Sequence, residues 1–120
     1  MNNYYKFKFY INAKHSVSFN GRESNIHPHT WETVVYIKVN STNTINFTEF
    51  EELLEKYFDN YEGKYFNDLE FFRNINPTME NIGKKIFNDL GLLLSRRDLE
   101  LWKVEISENP TRTYIIENSL

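Results

Sequence analysis

The chain has 120 residues with 14 Lys+Arg against 17 Asp+Glu, a formal net charge of −3. No basic cluster exceeds the pair Arg96–Arg97, which argues against nucleic acid or an anionic membrane as partner. The absence of cysteine excludes disulfides, thiolate metal ligands and a thiol nucleophile.

This length predicts one domain over residues 1–120, and aromatic residues at 17% of the chain supply ample filling for a sheet packed against helices. The opening "MNNYYKFKFYINAKH" alternates and lacks the unbroken apolar run of a signal peptide. No apolar stretch approaches the ~20 residues of a membrane span. The expectation is a cytoplasmic protein.

From Tyr5 to His15 the odd positions are Tyr, Phe, Phe, Ile, Ala and His, and the even ones are Lys, Lys, Tyr, Asn and Lys. That period of two predicts a half-buried strand with its odd side inward. Ser16–Asn25 reads as a polar loop broken by Gly21. A second strand runs from about His29 to Val39, with Trp31, Val35, Ile37 and Val39 on its odd side. The same register carried backwards puts His29 and His27 on that side. Pro28 lacks an N–H and is tolerable at a strand's entrance.

Asn40–Asn46 reads as a turn, and Thr48–Glu51 as a capping box opening a helix that buries Phe50, Leu53, Leu54, Tyr57 and Phe58. Asn60–Asn76 is irregular, with Gly63 ending the helix. Asn76 and Pro77 then predict an N-cap and first helical position, opening a helix that buries Ile82, Ile86, Phe87, Leu90, Leu93 and Leu94. A third strand, Leu99–Glu108, carries Trp102, Val104 and Ile106 on its even side and ends that side in Glu108; a short fourth spans Thr111–Ile116. The order β-β-α-α-β-β predicts an α+β fold, a four-stranded antiparallel sheet with two helices on one face.

The three histidines of the chain all sit at strand mouths. If the first two strands form a hairpin, His15, His27 and His29 project from one face at its open end. A facial set of three imidazoles is the ligand count of a catalytic zinc, which keeps a fourth position open for water or substrate. H-x-H alone is a weak motif. From register, a metal site and a group of hydrogen-bonded core histidines both remain open.

"INAKH" followed by "HPHTW" resembles the "FsAaH … HGHnW" zinc motif of the 6-pyruvoyl-tetrahydropterin synthase family, which includes the 6-carboxy-tetrahydropterin synthases of queuosine biosynthesis. "TINF" stands where the family has "vvDF", and "KYFND" where it has "rYLND". "INPTMENIG" resembles "iNPTaENiA", and "VEISENPTRTYI" resembles "vrvwEtptswaeY". The resemblance implies a T-fold whose subunits join their sheets into a trimeric barrel that stacks into a hexamer, with active sites at subunit boundaries. It implies Zn²⁺ on His15, His27 and His29, and a pterin substrate whose ring is anchored by Glu108, nearing the histidine set of a neighbouring chain. A carboxylate suits such a ring because two acceptor oxygens match adjacent N–H donors. Without the resemblance, Glu108 reads as an ordinary strand-end charge.

The sequence departs from the family at the catalytic trio of Cys, Asp and His. The Cys position, four residues before His27, is Glu23; the Asp and His positions are Glu62 and Gly63. The family's base dyad therefore cannot operate in its usual form, because the chain has no Cys and all three His serve as ligands. Three outcomes stay open. Glu23 and Glu62 carry the acid/base work; the chain binds zinc and a pterin without turnover, as a sensor or scaffold; or both are solvated loop charges. A branch of the family replaces the Cys by Glu and cleaves the side chain to 6-hydroxymethyl-dihydropterin, although its Glu lies nearer the H-x-H.

Overall fold

A computed structural model describes residues 2–39 and 44–119. Asn40–Asn43, the larger part of the expected turn, lie outside the described residues. Strands β1 (Tyr5–His15) and β4 (His27–Val39) pair antiparallel over their whole length, from Tyr5 opposite Ile37 to His15 opposite His27. Between them a two-residue turn joins β2 (Ser18–Phe19) to β3 (Arg22–Glu23). Asn20 (φ 52°) and Gly21 (φ 78°) both take left-handed backbone there, the conformation that an Asn-Gly hairpin turn requires. The polar loop expected over Ser16–Asn25 is thus a small hairpin of its own.

Helices α1 (Phe47–Phe58) and α2 (Met79–Ser95) follow, then β5 (Leu99–Asn109) and β6 (Arg112–Glu117). The main sheet has the order β1-β4-β5-β6, antiparallel throughout. Its inner face meets both helices. Ile11, Trp31, Val35 and Ile37 pack there with Phe50, Leu54, Ile86 and Leu90, each at most 5% exposed. Burying a side chain of this size contributes roughly 1.5–3 kcal/mol. Gly83 lets α2 sit close on the sheet, since a Cβ there would stand 2.9 Å from Ile106 Cγ2.

Both helix starts differ from the sequence expectation. Asn46, not Thr48, caps α1, with its side chain accepting from the Glu49 N–H at 3.1 Å. Thr78, not Asn76, caps α2, accepting from the Asn81 N–H at 3.1 Å. Asn76 is committed elsewhere: its side chain accepts from Ser18 N (2.9 Å) and donates to Ser18 O (2.7 Å). Gly63 does not end α1, which stops at Phe58. Instead Gly63 N–H donates to Asn12 O at 2.7 Å, laying this segment along the outer edge of β1.

The register of β5 also departs from simple alternation. Tyr36 faces Lys103 while Ile37 faces Leu101, so Trp102 is an extra residue. Leu99 and Leu101 are buried before this bulge, and Val104 and Ile106 after it. Trp102 leaves the core side and packs against Tyr4 and Tyr36. A second irregularity sets Ser107 and Glu108 against the single residue Thr113. Bulges of this kind re-aim side chains, and this one lies at Glu108.

Candidate metal and substrate centre

Alternation on β1 and β4 brings the three imidazoles together at the mouth of the hairpin. His15 and His27 are a cross-strand pair, and His29 lies two residues along on the same face. Ring centroids are 4.4 Å apart for His15–His27, 5.1 Å for His15–His29 and 4.8 Å for His27–His29. One ring nitrogen from each lies within 4.8 Å of the others. Fully buried Trp31 forms the floor, 4.9 Å from His15 and 5.3 Å from His29.

The outward nitrogens decide what the inward ones are. His15 Nδ1 lies 2.8 Å from Pro77 O, and His27 Nδ1 lies 2.8 Å from Asn25 O. A carbonyl oxygen only accepts, so in the neutral rings both Nδ1 atoms carry the proton and both Nε2 atoms present a lone pair. His15 Nε2 and His29 Nε2 are buried with no hydrogen-bond partner. Burial foremost holds the pKa of His15 and of His29 below the ordinary 6.5, opposed by the Pro77 carbonyl at His15 and by Glu108 at both, while His27 adds to the lowering of each. Neutral lone pairs converging in a buried space are a donor set for a divalent cation. Metal-bound histidines characteristically give their second nitrogen to a backbone carbonyl in this way.

A polar layer behind the rings holds them. Asn67 accepts from Ser16 N at 3.0 Å and donates to Ser16 O at 2.9 Å, fixing the residue after His15. Asn81 donates to Asn76 O at 2.9 Å, which braces the Asn76–Thr78 turn and with it the Pro77 carbonyl. Sequence reasoning missed Ser16, Asn67 and the Pro77 carbonyl as site residues. The signal was present in "KYFND" and "NPTMEN", whose polar residues are these braces.

The three nominated carboxylates have different surroundings. Glu23, on β3, accepts from the buried Ser16 hydroxyl at 2.7 Å, and that oxygen lies 3.0 Å from Tyr65 OH. Glu23 is therefore tied to the residue adjoining His15. Glu62 accepts from Asn12 N (2.9 Å) and Asn12 Nδ2 (3.0 Å) on the outer side of β1. The Asn12 backbone N–H foremost, then its side chain, keeps the Glu62 pKa below the ordinary 4.5. Glu108 turns toward the histidines of its own chain, with Oε2 3.6 Å from His15 Nε2 and 3.7 Å from His29 Nε2. Its other oxygen lies 3.1 Å from Arg112 Nη2, a partner the sequence reading did not nominate. A groove of about 600 Å³ reaches His29 and Glu108 between Tyr10, Thr30, Pro110 and Thr113. Two other clefts, among α1, α2 and the start of β5, contain no histidine, and a smaller one of about 300 Å³ reaches His29 between Asn12, Pro28 and Gly63.

Solved structures share this architecture. A Caenorhabditis elegans 6-pyruvoyl tetrahydropterin synthase superposes with a TM-score of 0.79 at 19% identity, covering 98% of this chain and 96% of that one. A Plasmodium falciparum 6-pyruvoyl tetrahydropterin synthase gives 0.69 at 17% identity, with 99% and 100% covered. A Plasmodium vivax enzyme of the same name, carrying a substitution at a catalytic glutamate, gives 0.70 at 16% identity over the same shares. These define the class: the α+β T-fold. No curated protein sequence matches the chain significantly. The family model for 6-pyruvoyl tetrahydropterin synthase matches residues 4–119, and the chain belongs to that family.

Proposed function

We propose that the protein is a zinc-dependent lyase of the tetrahydropterin synthase type, acting on dihydroneopterin triphosphate or a related pterin. The observation that carries this reading is the convergence of three imidazoles, with Nδ1 of His15 and His27 committed to carbonyls and Nε2 of His15 and His29 buried without a hydrogen-bond partner. His15, His27 and His29 would hold the metal. Zinc would supply Lewis-acid stabilisation of negative charge on the substrate's side-chain hydroxyls.

The chain's own residues would do the rest. The groove beside His29 is of the size that admits a bicyclic ring. Glu108 at its wall would accept from the ring's N–H groups. Glu23 would move the proton, with the Ser16 hydroxyl and Tyr65 holding its carboxylate; Glu62, tied to Asn12, ranks second. A Plasmodium vivax relative with a catalytic glutamate supports a carboxylate in this role.

The sequence also favours a second reading, a zinc- and pterin-binding family member without turnover, because the Cys is absent and no histidine remains outside the ligand set. Incubating wild-type protein with dihydroneopterin triphosphate and zinc separates the two. Carboxy-, pyruvoyl- or hydroxymethyl-pterin product supports the lyase. Ring binding without product leaves the scaffold, and no binding of any pterin removes both.

A trimer or hexamer completes the proposal. β1 and β6 are edge strands, a liability that closing a barrel across subunits removes. Light scattering at micromolar concentration should give a trimer or hexamer, and a monomer would count against it.

A further inference from the structure

We propose that Glu108 is a fourth ligand of the metal held by His15, His27 and His29, closing the site within a single chain when no substrate is bound. This rests on the metal reading above and changes what Glu108 does in it. In a tetrahedral zinc site with ligand bonds of ~2.0–2.1 Å, neighbouring ligand atoms stand about 3.4 Å apart. Glu108 Oε2 stands 3.6 Å from His15 Nε2 and 3.7 Å from His29 Nε2. Those are the two buried nitrogens without hydrogen-bond partners. The carboxylate oxygen therefore faces the nitrogens of His15 and His29 at close to the separation expected between ligands of one zinc.

The chemistry of the contact agrees. A neutral imidazole lone pair and a carboxylate oxygen are all acceptors, and acceptors facing one another at such separations repel unless a cation lies between them. The second carboxylate oxygen is occupied at 3.1 Å by Arg112, and the β5 irregularity at Ser107 and Glu108 aims the side chain inward, leaving it 14% exposed. Arg112 is 65% exposed and can remain on the carboxylate while its partner oxygen points at the metal.

A closed set of three histidines and one glutamate has no free position. Departure of the Glu108 carboxylate would free a position for a substrate hydroxyl, and the released carboxylate would be free to accept the N–H groups of a pterin ring. One side chain thus alternates between metal and ring, and ring binding opens the site.

The test is zinc affinity measured by chelator competition on wild type, Glu108→Ala, Glu108→Gln and His29→Ala, with a crystal structure of the zinc-loaded, substrate-free wild type. Losing an outer-sphere partner of a metal ligand typically costs ~10–100-fold in affinity, so removing a direct ligand is expected to weaken zinc by at least about 10-fold in both Glu108 variants. The crystal structure should place Oε2 of the same chain ~2.0–2.2 Å from zinc. If both Glu108 variants bind zinc as tightly as wild type while His29→Ala does not, or if water fills the fourth position, Glu108 is not a ligand and the histidine site stands. Undiminished zinc binding in His29→Ala would instead overturn the metal reading itself.

Discussion

Two polar clusters lie against the core, and they end differently. Between the helices, Tyr57 OH lies 2.7 Å from Tyr61 OH and donates to Asp89 Oδ2 at 2.7 Å, and Lys85 Nζ reaches the same oxygen at 2.8 Å. This network closes on itself. Burial foremost pushes the Tyr61 phenol up to about 12 and drives Tyr57 higher still, so both stay neutral as hydrogen-bond donors. At the sheet mouth the braces are as complete, yet His15 Nε2 and His29 Nε2 lack a hydrogen-bond partner. A cluster that satisfies itself stabilises a fold; one that leaves buried lone pairs converging is built for something else to enter. Buried unsatisfied groups cost ~1–3 kcal/mol each, and such a cost at two adjacent atoms calls for a ligand.

The largest expected effect sharpens the contrast on the catalytic side. Glu23→Gln keeps a similar shape and still reaches the Ser16 hydroxyl, so zinc and pterin binding should persist. Turnover should fall by the ~10²–10⁴-fold of a missing general base. Under the scaffold reading there is no turnover to lose and the substitution is silent. Glu62→Gln should lower turnover less than Glu23→Gln, since its carboxylate is spent on Asn12; steady-state rates of the two variants give the ranking.

The closed network makes the opposite prediction. Tyr57→Phe removes the donor to Asp89 and should destabilise the chain by about 1–3 kcal/mol in urea unfolding, with bound zinc per chain unchanged. Loss of metal in that variant would erase the distinction between the two clusters.

The smallest effect is one of pH. His15 and His29 have folded-state pKa values below the ordinary 6.5, so just below pH 6.5 the unfolded chain binds more protons than the folded one. Stability from these groups is fully present above pH 6.5 and declines as pH falls below it. Thermal melts of chelator-treated protein should fall through that window. A flat profile would mean that the rings are protonated as readily in the fold as out of it.

How far these features were legible differs by element. The inward side of β1 follows from strict alternation, and Tyr5–His15 forms as read. With β4 antiparallel to it, the histidine cluster follows from register alone. The caps were less legible. Asn46 and Thr78 each competed with another capping residue two positions away, and at α2 a contact distant in sequence, Asn76 turning to Ser18, left the cap to Thr78. Trp102 could not be placed by period, because one bulged residue reverses every side chain beyond it. The Asn20-Gly21 hairpin was readable and passed over as loop. The braces at Asn67, Asn76 and Asn81 were visible only as letters of a motif. Their roles depend on hydrogen bonds to segments as far apart as Ser16 and Asn67.

The central claim is that the three imidazoles hold one divalent cation, and metal analysis of protein purified without a histidine tag tests it most directly. The account predicts about one zinc per chain, retained through gel filtration in wild type and lost in His29→Ala. Substoichiometric zinc in wild type after resupply, or zinc that survives removal of His29, would contradict it.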